Sequence, residues 1–183
     1  MTYVCENCIT VYKKKYKHCP RCNNEYLAEI DDFMIDLIIE FWRSGFETNF
    51  CCSGHIWHYS QIPDGRYMSR ASIGSYISFI DERKEVYDKF LEIIEECELK
   101  LVLDELESGK NKYDDSEYYR IVIRADISDE ERKMLGLARK RLEVIYRFID
   151  DCYRLIERWD EMVEEARRER KGGEKKNEIK DGE

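Results

Sequence analysis

Apolar residues recur along this chain at several spacings, and the changes of spacing divide it. Ile30, Phe33, Met34, Leu37, Ile38, Phe41 and Trp42 fall on one face of an amphipathic helix, and Gly45 sits where a C-terminal glycine would end it. Residues 46–52 then read as a strand, and Tyr76–Ile80 carries the β-branched and aromatic content of another. Asp81 opens a second helix, with Val86, Phe90, Ile93, Ile94 and Cys97 on one side. Leu99, Leu101 and Leu103 share one parity, as do Ile121 and Ile123, so each set marks the buried face of a strand. Between them, Glu107–Lys112 reads as an exposed turn joining an antiparallel hairpin.

The last pattern is the longest. Ser128 and Glu131 have capping-box spacing, so one helix is predicted from 128 onward, with Gly136 loosening its first turns. Ala138, Leu142, Ile145, Ile149, Cys152, Ile156, Trp159, Val163 and Ala166 follow in alternating steps of four and three. Such a stripe is about 43 Å long at about 1.5 Å per residue. Two readings fit it: a helix lying across the sheet and overhanging it, or a seam at 138–166 for a protein partner or a homodimer. Residues 167–183 have almost nothing apolar and are expected to be a disordered charged tail.

Composition adds limits. No run of about 18 apolar residues exists, so no membrane span is expected, and the N-terminus lacks the pattern of a secretory signal. Eight cysteines in such a chain point to a reducing compartment, the cytoplasm, where paired cysteines are more often metal ligands than disulfides. The net charge of −9 is uneven: residues 1–24 carry Lys13, Lys14, Lys15, Lys17 and Arg21 against Glu6, a net +4 that leaves −13 for the rest. An acidic body repels nucleic acid, so a phosphate-bearing partner would have to meet the N-terminal segment or a local pocket.

Two cysteine clusters carry the candidate chemistry. Cys5-x2-Cys8 and Cys19-x2-Cys22 are identical half-sites, each able to present two thiolates to one ion. Together they predict a closed tetrahedral site for one structural Zn²⁺ per chain, with iron and a pair of disulfides as the alternatives. The motif resembles zinc ribbons and rubredoxin-like knuckles over residues 3–26. The loop Lys13-Lys14-Lys15-Tyr16-Lys17 reads either as a finger contacting nucleic acid, with Tyr12 or Tyr16 stacking on a base, or as a solvated loop that offsets the thiolate charge.

The second cluster is Thr48-Asn49-Phe50-Cys51-Cys52-Ser53-Gly54-His55, followed by His58. Adjacent Cys51 and Cys52 point to opposite faces of a strand, and Phe50 shares parity with Cys52, which puts Cys52 toward the core. Four readings stay open. The first is a second metal site using His55 and His58. The second is a histidine-activated thiolate. The third is a ligand pocket in which the Ser53 and Gly54 N–H groups, with His55, Arg66 or Arg70, hold an anion. The fourth is a buried thiol pair with locally bonded histidines. The run Gly45–His55 with Tyr76–Phe79 resembles a family of small phage and mobile-element proteins of Firmicutes that has no assigned activity; that origin would imply the host cytoplasm. Thr48 with Cys52-Ser53-Gly54 is distantly similar to the tRNA wybutosine-synthesis methyltransferase, with His55 replacing an arginine. That likeness implies Thr48, Ser53 and Gly54 as ligand contacts.

The expected architecture is α+β: a zinc ribbon at 1–27, an α+β core at 28–127 with a mostly antiparallel sheet and two amphipathic helices, a long C-terminal helix at 128–166, and a tail. The expected function is a zinc-binding regulatory, ligand- or partner-binding protein with its pocket at Cys51–His55. An RNA- or nucleotide-modifying enzyme using the same turn is the alternative.

Overall fold

The computed structural model describes residues 2–54, 74–81, 84–110 and 117–178. The fold is α+β, with two antiparallel sheets. The first is three-stranded: β1 (Thr2–Cys5) lies between β2 (Thr10–Tyr12) and β3 (Ala28–Ile30). The second is four-stranded, in the order β4 (Glu47–Cys52), β5 (Tyr76–Asp81), β7 (Glu117–Ala125), β6 (Leu101–Lys110). Helices α1 (Ile35–Arg43), α2 (Lys84–Glu96) and α4 (Ala138–Glu178) pack against the larger sheet, and a short α3 (Asp129–Met134) precedes α4.

The first helix starts later than its apolar spacing predicts. Ile30 belongs to β3, paired with Thr2, and Asp31 turns the chain by accepting the Phe33 N–H on its own side chain (3.3 Å). The helix ends as expected. Gly45 at φ +87° donates its N–H to Trp42 O, and Phe46 donates to Phe41 O, which are the two bonds of a Schellman stop. The Phe46 and Phe41 rings also meet, at 5.8 Å, supplying the apolar contact that accompanies this stop. Phe79, Phe90 and Trp159 complete an aromatic cluster with centroids 4.9–5.8 Å apart.

Two further expectations change. Residues 107–110 are strand and not turn, paired with 117–119 beyond a bulge after Leu106; the connection falls in 111–116, outside the described residues. The helix predicted from 128 is two helices. Ser128 and Glu131 do form the reciprocal capping box, but Leu135 turns inward to 2% exposure beside Gly136, and the bonds Leu135 N–H to Arg132 O and Leu137 N–H to Met134 O close α3 before α4 begins.

The α4 stripe lies on the body. Ile145, Cys152 and Ile156 are buried, together with Val144, Phe148 and Leu155, while Ile149, Trp159 and Met162 pack at the margin. Ala138, Leu142 and Ala166, at the ends of the predicted seam, are exposed. The helical backbone runs on to Glu178, through a segment expected to be tail. Its Arg, Glu and Lys residues are good helix formers, and α4 has already nucleated on the core before reaching it. The small sheet joins this body directly, since Val4 and Ile30 belong to the same buried cluster as Met34, Leu37 and Phe41. Among the described residues no helix is long and apolar enough to cross a membrane.

Candidate metal centre

The four N-terminal cysteines converge. Cys5 Sγ lies 3.5 Å from Cys22 Sγ and Cys8 Sγ 3.6 Å from Cys19 Sγ, with all four sulfurs within 4.8 Å of one another. A tetrahedron with metal–sulfur bonds of about 2.3 Å has edges of about 3.8 Å, so the donors fit one such ion. Thiolates alone fill the four positions, which leaves no vacancy for substrate.

The two half-sites are built alike. Ile9 donates its N–H to Cys5 O and Asn23 donates to Cys19 O, both at 2.8 Å, and both residues adopt positive φ, +52° and +61°. Asparagine tolerates that conformation, whereas for a β-branched residue it costs roughly 1–2 kcal/mol. Ile9 holds it while packing against the body's core, and it lines an open groove of about 440 Å³ shared with Trp42 and Phe46.

A second layer of polar groups faces the sulfurs. Tyr12 Oη lies 3.2 Å from Cys19 Sγ and Thr10 Oγ1 3.1 Å from Cys8 Sγ, and Arg21 donates to Thr10 Oγ1 at 3.2 Å. Burial pushes the Cys5 thiol up to about 12. At Cys19 burial acts in the same direction, but the Tyr12 hydroxyl and the N–H groups of Cys22 and Arg21 outweigh it and bring the thiol down to about 6. Four sulfurs so close together could share one divalent cation, which would displace the protons they still carry.

The Cys51–Gly54 turn is a different kind of place. A bulge between Thr48 and Phe50 resets the parity of β4, so Cys51 pairs with Ile77 on the core side and Phe50 is 55% exposed. The expectation that Cys52 faces the core is therefore reversed. Burial raises both thiols, Cys51 to about 11, which is opposite to the shift an activated nucleophile needs.

The donors expected to hold an anion already serve the chain itself. Ser53, 1% exposed, directs its Oγ (2.6 Å) and N–H (3.4 Å) to Asp31 Oδ2, and the Gly54 N–H points at Cys52 Sγ (3.3 Å). The carbonyls are engaged as well: Ser75 Oγ donates to Ser53 O at 2.8 Å and Arg141 Nε to Gly54 O at 3.1 Å. Thr48 Oγ1 accepts the Trp42 indole N–H at 2.9 Å. His55, His58, Arg66 and Arg70 lie outside the described residues.

Sequence reading missed Asp31, which is 22 positions from Ser53 and belongs to no local pattern. It also missed Thr10, although a hydroxyl two residues after a ligand cysteine is a usable short-range signal.

No family profile, curated protein or solved structure matches this chain. The site geometry therefore has to carry the functional reading.

Proposed function

We propose that the protein is a binding protein whose N-terminal ribbon is ordered by one structural zinc ion and presented on the α+β body to a partner. The observation that supports this is the closed set of four sulfurs in two equivalent turns, a donor set that suits zinc and leaves it no open position. Zinc here organises three short strands that have little core of their own. The ribbon is also anchored: Val4 and Ile30 reach the body's core, and Asp31, just after β3, ties to Ser53. A module fixed in this way suits presentation of a surface.

Cobalt substitution tests the reading. One Co²⁺ per chain should bind with the intense sulfur charge-transfer and tetrahedral visible bands of four-thiolate coordination. Added azide or cyanide should leave those bands unchanged. A spectrum that shifts with added anion would reveal an open position and overturn the structural assignment. A stoichiometry well below one would remove the metal itself.

A further inference from the structure

We propose that the Lys–Tyr face of the ribbon is a binding site for single-stranded nucleic acid. This deepens the binding reading above and rests on a metal-ordered ribbon. Tyr3 and Tyr12 are directly paired across β1 and β2, so their rings share one face of the small sheet. Tyr16 meets Tyr12 edge to face at 5.3 Å, and Tyr12 is pinned in turn by its hydroxyl at Cys19 Sγ. The cysteine cluster thus fixes the Tyr12 ring on β2 and, through it, Tyr16 on the loop that follows, and Tyr16 keeps 39% of its surface open.

Cations are interleaved with these rings. Lys14 Nζ lies 5.6 Å from the Tyr16 centroid and Lys15 Nζ 6.0 Å from that of Tyr3, while Lys17, next to Tyr16 in the chain, is exposed. Lys13 is engaged within the ribbon. It donates to Thr2 Oγ1 at 3.0 Å, and the Thr2 hydroxyl donates to Asp32, which ties down the start of the loop. Glu29, opposite Tyr3 on β3, marks the acidic border of the face.

Flat rings with cations a few ångströms from them are the elements that hold single strands: bases stack on the rings and phosphates meet the ammonium groups. A duplex hides its base faces and offers only phosphate to this surface. The strongly acidic remainder of the chain confines contact to a few nucleotides.

The test is fluorescence anisotropy with the zinc-loaded full chain, a short labelled oligo-uridine and a matching duplex, between about 50 and 200 mM salt. The single strand should bind more tightly than the duplex. Tyr16→Ala should weaken single-strand binding roughly tenfold and Tyr16→Phe should preserve it. Replacing Lys14, Lys15 and Lys17 by glutamine should weaken it at least as much and flatten the logarithmic salt slope by about 2. Absence of binding by the wild-type protein at the lowest salt overturns the proposal. So does equal or tighter binding of duplex, or a Tyr16→Ala affinity that matches wild type. One zinc per chain without oligonucleotide binding defeats this proposal alone, whereas a chain that takes up no metal defeats the reading beneath it.

Discussion

The ribbon and the body are held together by opposite means. Residues 2–30 form three strands of three or four residues each and contribute Val4 and Ile30 to the common core, too little apolar burial to fix that much chain. On the function proposed above, their order depends on an ion held by the four sulfurs. The body has a continuous core running from α1 through the larger sheet to α4, with five aromatic rings joined in one cluster. The cysteines show the same contrast. In the ribbon, a two-residue spacer and a positive-φ residue after each pair direct two sulfurs to one point. In β4, adjacent cysteines point to opposite faces, so Cys51 serves packing while Cys52 accepts a backbone N–H. Cysteine count carries little information here; spacing and backbone geometry decide the chemistry.

The largest expected effect separates the two regions outright. Cys19→Ser, or removal of metal with a chelator, should cost most of the roughly 10–16 kcal/mol that a structural zinc supplies. Hydrogen exchange should then show β1, β2 and β3 unprotected while β5 and β7 keep their protection. Retained protection of β1 and β3 amides without metal would mean that the ribbon is core-held after all.

The junction should give an intermediate effect. Ser53→Ala removes a hydroxyl donor to the Asp31 carboxylate at a buried position, and a loss of about 1.5–3 kcal/mol in urea unfolding is expected. Asp31→Asn should cost a similar amount, and the double variant should fall short of the sum by at least about 1 kcal/mol. Simple additivity would show that the two groups do not act together and that the ribbon's link to β4 is apolar only.

The smallest effect concerns the body's one strongly shifted carboxylate among the described residues. Arg147 pairs with Glu131, which also caps α3 and meets Lys140, and together they hold its carboxyl at about 2 against an ordinary 4.5. A depressed pKa of this kind contributes stability that is fully present above pH 4.5 and is lost as pH falls toward 2. Glu131→Gln should lower stability at neutral pH by about 1–2 kcal/mol and flatten the acid limb of the stability profile over that window. An acid limb unchanged in the variant would assign the pH dependence to other groups.

The most local features were legible in the sequence. Two C-x2-C pairs named the four cysteines that converge, because the turn that presents each pair is set within five consecutive residues. Gly45 marked the end of α1 and Ser128 with Glu131 marked a helix start, because caps are satisfied by groups three to five residues away. The apolar stripe of α4 was visible for the same reason, since a helix repeats its faces within one turn.

What the stripe covers was decided by the tertiary structure, because a partner and the chain's own sheet bury an apolar face equally well. The bulge in β4 is likewise absent from any local pattern: it arises where pairing with β5 must keep Phe79 and Ile77 inward, and it reverses the faces of Phe50, Cys51 and Cys52. Ser53 reads as a ligand donor until the fold brings up Asp31 across 22 residues of chain. By itself the sequence determined which four cysteines could share an ion, the stop of α1 and the capping box of α3, since each half-site and each cap is built from near neighbours. The fold alone decided which donors stay available to a ligand, since a donor is taken up by whatever group packing brings within about 3 Å of it.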